Sequence, residues 1–206
     1  PVKCIQVEAE NKLFLVGRKN IPTHNTTIVI KLAIWVLLYG KRKFIAAIGA
    51  TEDKADSLIS GVKSDLMHNE LLLADFPEVC FPIRCLENEV RRQAGQTLDG
   101  ENTMIRFAAD EIVLPTVKKS KASGSIVRAV GLTGAVRGQI ATTASGQTIR
   151  PDLVLADDPQ TRESADSESQ CAKREAIVAG DVLGSAGPDD LVSAVMPCTV
   201  IRKGDM

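Results

Sequence analysis

Three apolar runs constrain the fold more than any other feature of this chain. "KFIAAIGA" (43–50) is apolar after its first residue, "DLVLADD" (152–158) is apolar between Asp152 and its two closing acids, and "LVSAVMPCTVI" (191–201) is apolar for most of its length. A strand covered on one face alternates polar with apolar residues, whereas a strand covered on both faces has no reason to alternate. Each run therefore reads as a buried strand. Helical patterns lie between them. Strands that alternate with helices imply an α/β fold with a mostly parallel sheet.

The intervening pattern is explicit in places. After Asn25 the chain turns apolar nearly all round to Leu38, which predicts a well-buried helix that Thr26 or Thr27 caps and Gly40 ends. Thr51 is expected to cap a second helix reaching about Asn69, with Ala55, Leu58, Ile59, Val62 and Leu66 on one face and His68 at its end. Residues 70–100, with "DFPEVCFPIRC", read as irregular because of their prolines. "TMIRFAADEIVLPT" and "SIVRAVGLTGAVRGQ" read as strands, and roughly 163–183 as a polar helix. At the start, "VKCIQVEA" and "KLFLVGR" read as two short strands, followed by a loop over 18–25 punctuated by Pro22.

Composition narrows the function. The chain has 206 residues, 44% hydrophobic and 25% charged, with a net charge of −1. That suits one domain, or one plus a small extra piece. It offers no basic footprint for nucleic acid, so any DNA contact must use local clusters; "KKSKAS" (118–123) is such a cluster, and reads first as a solvated loop. The cysteines are Cys4, Cys80, Cys85, Cys171 and Cys198, and the histidines are His24 and His68. An odd number without C-x-x-C spacing argues against a disulfide framework or a zinc site, and for a reducing compartment. Cys80 and Cys85 read as structural. The apolar run Ile28–Leu38 is too short to cross a bilayer, so no membrane is expected. A first residue of Pro1 rather than Met suggests a piece of a longer chain.

"RPDLVLADDPQT" (150–161) is the clearest chemical motif. Leu153 to Ala156 form a strand, and Asp157 and Asp158 emerge together at its carboxyl end, where open α/β sheets bind ligands. One carboxylate can hold a phosphate-bound Mg²⁺, while its neighbour orients or deprotonates a water. An Asp-Asp-Pro turn closing an ordinary strand has the same sequence. A phosphate-binding G-x-x-x-x-G-K-[ST] loop should accompany an ATPase of this kind. The chain has none. It has the helix such a loop would open, with Thr26 and Thr27 at its head, and "IPTHN" where the rest of the loop belongs.

That junction carries the first resemblance. "VKCIQVEAENKLFLVG", then "IPTHN", then Thr26 resembles the carboxyl-terminal motifs of an intein over residues 1–25, with Thr26 as the first host residue. The resemblance implies a two-stranded β piece of a Hint-type fold. It also implies that Asn25 cyclises onto its own carbonyl, that His24 assists, and that the Thr26 hydroxyl accepts the upstream host segment. One intein class uses an internal cysteine as its nucleophile, with a threonine two residues before the terminal asparagine. Cys4 and Thr23 occupy those positions, although Cys4 also reads as a small strand residue. Lys12 stands where such motifs often carry His. An N-terminal intein and host portion is the implied partner.

Residues 26–206 resemble the ATPase domain of a phage terminase large subunit, the motor that packages DNA. The resemblance rests on "TTIVIKLAIWVLLYGKRKFIAAIGATEDKAD", "VGLTGAVRGQ" (130–139), "RPDLVLADDPQTRESA" and "VMPCTVIRKGDM". It implies a P-loop NTPase sheet of the ASCE/RecA-like kind, binding ATP and Mg²⁺. Thr26 and Asp157 would hold the metal, and Thr26 and Thr27 would face the nucleotide. Asp158 would be the catalytic carboxylate, where many relatives carry Glu. Thr199 would sense hydrolysis. Arg137 would touch phosphate or DNA, or be a solvated loop arginine. Implied partners are double-stranded DNA, the portal and prohead, the small terminase subunit and further copies in a ring, in the cytoplasm of a bacterial host. Alternatives are the C-terminal half of a split intein, another P-loop motor, and an inactive prophage remnant.

Overall fold

The computed structural model describes residues 14–16, 21–134, 136–182, 184 and 192–205. In chain order its elements are β1 (Phe14–Val16), β2 (Ile21–Thr23), α1 (Asn25–Leu38), β3 (Phe44–Gly49), α2 (Glu52–His68), α3 (Glu70–Asp75) and α4 (Pro77–Arg84). Then come the two-residue β4 (Thr97–Leu98), β5 (Glu101–Asn102) and β6 (Arg106–Phe107), followed by β7 (Glu111–Val113) and β8 (Ile126–Gly131). After β9 (Ala141–Thr142) and β10 (Thr148–Ile149) the chain continues through β11 (Leu153–Asp157), α5 (Arg162–Ala165), α6 (Glu168–Ile177) and β12 (Ser193–Val195).

The fold is α/β. Its main sheet has the order β12-β11-β3-β8-β7-β6. The pairs β12–β11, β11–β3 and β3–β8 are parallel, and β8–β7 and β7–β6 are antiparallel. All six residues of β3 are buried, as its unbroken apolar run requires. The two faces explain this. Ile45 and Ala47 pack with Leu37 of α1, Leu58 and Ile59 of α2 and Ile83 of α4. Ala46 and Ile48 point the other way, against Leu132, Val136 and Val182. Among the described residues no helix is long and apolar enough to cross a membrane.

α2 matches its sequence pattern closely. The Thr51 hydroxyl caps it by accepting the Lys54 N–H at 3.4 Å, and the buried stripe is Ala55, Leu58, Ile59, Val62 and Leu66. α1 stops at Gly40, whose φ of +62° suits glycine. The Gly40 and Lys41 N–H groups donate back to the Leu37 and Val36 carbonyls, satisfying the helix end.

Four expectations need correction. Residues 70–100 are not wholly irregular: Asn69 caps α3 through its side-chain oxygen, and Pro77 opens α4, where a missing N–H costs nothing. The polar helix is broken. A Thr161–Ser164 capping box starts the four-residue α5, α6 begins afresh at Glu168, and a π-helical turn spans Val178–Val182. β12 is not buried: among the described residues it pairs only with β11, and Val195 is 40% exposed. Residues 21–23 are not loop, because Pro22 pairs opposite Leu15 in a short antiparallel ladder that leaves proline's lack of a donor unpunished. The strand expected over "VKCIQVEA" lies outside the described residues.

Candidate active site

The carboxyl ends of β3 and β11 form one corner, where the sheet's connections diverge. From β3 the chain leaves towards β8 on one side, and from β11 towards β12 on the other. Crevices at such switch points hold ligands in α/β proteins. α1 runs over the sheet and brings its first turn to the same corner.

Thr26 and Asp157 meet there. The Thr26 hydroxyl donates to Asp157 Oδ2 at 2.6 Å, across 131 residues of sequence. This corrects the expectation that Thr26 or Thr27 caps α1. His24 holds the cap position, with no side-chain cap bond, which leaves the Thr26 hydroxyl for Asp157. The other carboxylate oxygen, Asp157 Oδ1, is buried and has no hydrogen-bond partner among the described residues. Burial is the main influence on this carboxyl and pushes its pKa up. The Thr26 hydrogen bond opposes that, the Asp158 charge adds to it, and the Lys54 charge opposes it.

Asp158 is set up differently. It has left the strand and adopts a φ of +39°. Its Oδ1 accepts the Thr199 N–H at 2.7 Å, and its Oδ2 faces the Thr199 hydroxyl at 3.4 Å. Its own N–H donates to the Pro197 carbonyl. The two adjacent acids thus face different partners: Asp157 the head of α1, Asp158 the segment beyond β12.

The remaining sequence candidates divide. Asn25 lies beside the pair, its Oδ1 accepting the Thr26 N–H at 2.9 Å, so its side-chain amide lies against the peptide bond it would break. His24 and Thr27 are exposed at the same helix end. Thr23 belongs to β2, two residues before Asn25. Cys4 and Lys12 lie outside the described residues. Arg137 is not drawn to the acids: its Nε pairs with Asp181 at 2.7 Å, and its Nη2 donates to the Gly180 carbonyl in the π-helical turn.

Two residues escaped the sequence reading. Arg174, buried on α6, donates through Nη1 to the Pro159 carbonyl at 2.6 Å and more distantly to the Ala50 carbonyl at 3.4 Å. It staples the loop after β11 to the loop after β3 from beneath the corner. Nothing in "QCAKREAI" marks this arginine, since its neighbours look equally solvated. Lys54, one turn into α2, supplies the positive charge that Asp157 feels. No protein-family model matches the chain, and no curated protein matches it.

Proposed function

We propose that residues 26–206 are the ATPase unit of a phage DNA-packaging motor of the terminase type, and that residues 1–25 are the carboxyl-terminal end of an intein that excises itself at the Asn25–Thr26 bond. One observation carries the reading: a threonine hydroxyl at a helix N-terminus bonded to the strand-end acid of a parallel sheet, with that acid's second oxygen buried and unpaired. An unpartnered buried carboxylate oxygen is costly unless a cation or water sits on it. The donor set, one hydroxyl and one carboxylate, is the hard oxygen chemistry that suits Mg²⁺.

In this reading Thr26 and Asp157 hold Mg²⁺, which neutralises phosphate charge when bound. The N-terminal end of α1, where the Thr26 N–H donates to Asn25 Oδ1, carries the positive end of the helix dipole and favours a phosphate beside it. Asp158 orients the attacking water and takes up its proton. Its bonds to Thr199 tie that event to the chain beyond β12, and so to parts that grip DNA. Positioning is most of phosphoryl-transfer catalysis, and the sequence has no G-x-x-x-x-G-K-[ST] loop. Residues 26–206 alone therefore turn over ATP poorly.

In the splicing step the Asn25 side-chain nitrogen attacks the Asn25 carbonyl carbon. The bond to Thr26 nitrogen breaks, that nitrogen leaves as an amine after gaining a proton, and Asn25 ends as a succinimide. His24 at the helix cap is the neighbouring proton donor. Before that step the Thr26 hydroxyl oxygen attacks the upstream acyl carbon held as a thioester on Cys4. The C–S bond breaks, the sulfur takes up the hydroxyl's proton, and an ester forms. The freed Thr26 nitrogen later displaces that ester's oxygen to give an ordinary peptide bond.

The test is to express the whole open reading frame that contains this chain. Mass spectrometry should find a ligated product in which Thr26 follows a phosphate-binding loop, and that product should hydrolyse ATP with Mg²⁺ and be stimulated by double-stranded DNA. A product that stays unspliced refutes the intein reading. A spliced product without Mg²⁺-dependent hydrolysis refutes the ATPase reading.

A further inference from the structure

At the other end of the sheet lies a cavity of about 570 Å³, within the size range of small-ligand sites. Its wall is built around a buried acid. Glu111, 4% exposed, has both carboxylate oxygens occupied: Oε1 by Arg106 Nη1 at 2.6 Å, and Oε2 by Arg128 Nε at 2.6 Å. Arg128 is fixed further by donating Nη1 to the Gln139 side chain at 3.0 Å and to the Ile140 carbonyl at 2.9 Å, and it lies over the Phe44 ring. Arg128 is thus spent on the fold. Arg106 is not: its side chain is 63% exposed, anchored at one nitrogen, and lines the cavity. Two guanidiniums against one carboxylate leave the wall with a net positive charge.

The rest of the lining suits a particular shape. Gly95 and Gly124 both lie in it with positive φ, at +72° and +63°. Without a side chain each leaves room for a ligand to come close, and the Gly124 N–H is itself held by the Pro115 carbonyl. Thr142 adds a hydroxyl, while that of Thr143 is engaged with Gln147 in its own turn. Met104 and Ile140 also line the cavity and are 52% and 51% exposed, so apolar surface there stays in water until something covers it. Met104 holds a φ of +48°, a strained conformation for a side chain of its size and one that recurs at ligand clamps.

We infer that this cavity binds a nucleoside monophosphate, its phosphate on Arg106 and against the bare backbone of Gly95, its base against Met104 and Ile140. The site is independent of the Thr26–Asp157 corner and of the function proposed for it. The ligand is either a free nucleotide or the phosphorylated end of a strand, since both present the same group.

The test is a titration of the full chain with thymidine 5′-monophosphate in chelator-containing buffer, followed by amide NMR shifts. Saturating shifts are expected at Gly95, Gly124, Thr142 and Thr143, with a Kd of about 1 mM or tighter. Thymidine alone and inorganic phosphate alone should each bind at least about tenfold more weakly, as halves of one ligand. Arg106→Gln keeps a donor for Glu111 but loses the charge, and should weaken binding about tenfold or more. Should that variant unfold, Ile140→Ala, at an exposed position, serves instead and should also weaken binding. A 5′-phosphorylated oligothymidylate that binds at least as tightly identifies a strand end as ligand, and one that is excluded identifies free nucleotide. The inference fails if shifts do not saturate, if they cluster at Thr26 and Asp157, or if both variants bind as well as the wild type.

Discussion

A buried acid, Glu111, and a half-buried one, Asp157, stand at opposite ends of the sheet and are provisioned in opposite ways. Glu111 has a guanidinium on each oxygen. Asp157 has one hydroxyl on one oxygen and nothing on the other. The first is an ion cluster in which both oxygens of the acid are met, so removing the acid costs a great deal. The second is left incomplete, and its shortfall is what a cation can make good. Burial alone therefore does not mark a functional carboxylate. An unmet demand on its oxygens does.

The sharpest way to break this contrast is turnover. In the spliced, full-length product, Asp157→Asn and Asp158→Asn should each lower ATP hydrolysis by about 100-fold or more, read as kcat at saturating Mg²⁺. Glu111→Gln in the same protein should leave kcat near wild type once folded protein is counted. Equal losses at both ends would erase the distinction.

Stability should run the other way. Glu111→Ala strands two arginines and should destabilise the chain by about 3 kcal/mol or more, measured by urea unfolding. Asp157→Asn removes a charge that burial disfavours while keeping an acceptor for Thr26. It should stabilise the chain at pH 7, by roughly 1 kcal/mol or less, because solvent still reaches the corner. A loss of stability there would mean that Asp157 is already fully partnered.

The pH dependence follows from the same shift. The folded-state pKa of Asp157 lies above its ordinary value of 3.8, so the folded chain binds more protons than the unfolded one as the pH rises from about there. Its contribution is most favourable below that pH and is lost as the pH climbs through the folded value. Asp157→Asn should flatten this part of the profile, and the difference between the two curves isolates the group. A thermal shift checks the same corner: Mg²⁺ at about tenfold its Kd should stabilise the wild type by roughly 1.4 kcal/mol and leave Asp157→Asn unmoved.

The sheet's parallel half was legible because its strands carry the mark of burial on both faces. "KFIAAIGA" has no alternation to misread, and the Thr51-capped helix shows its stripe openly. Thr26 and Asp157 were brought together by the resemblance, which gives both to one metal, and the chain does place them within hydrogen-bond distance. Other features depend on partners the sequence keeps far apart. Arg174 reaches the Ala50 carbonyl across 124 residues, and no local pattern announces such a contact. β12 resembles a central strand in composition, and only the missing neighbour makes it an edge. Pro77 and Pro82 argued for irregularity, yet one opens α4 and the other costs only one bond in a helix of eight residues. For Asp158 the spacing showed that it must differ from Asp157, but not that Thr199 would be its partner.

The Thr26–Asp157 bond joins residues made far apart in time. At roughly 5–20 residues per second, a ribosome needs between about 7 and 26 s to travel the 131 residues that separate them. For that interval the emerging β3 has neither β11 beside it nor the acid that fastens the head of α1, and its apolar surface must be shielded by the helices already made or by a chaperone. The corner is therefore among the last parts of the molecule to close during synthesis, and a nascent chain stalled before Leu153 would display an open sheet with an unfastened helix end.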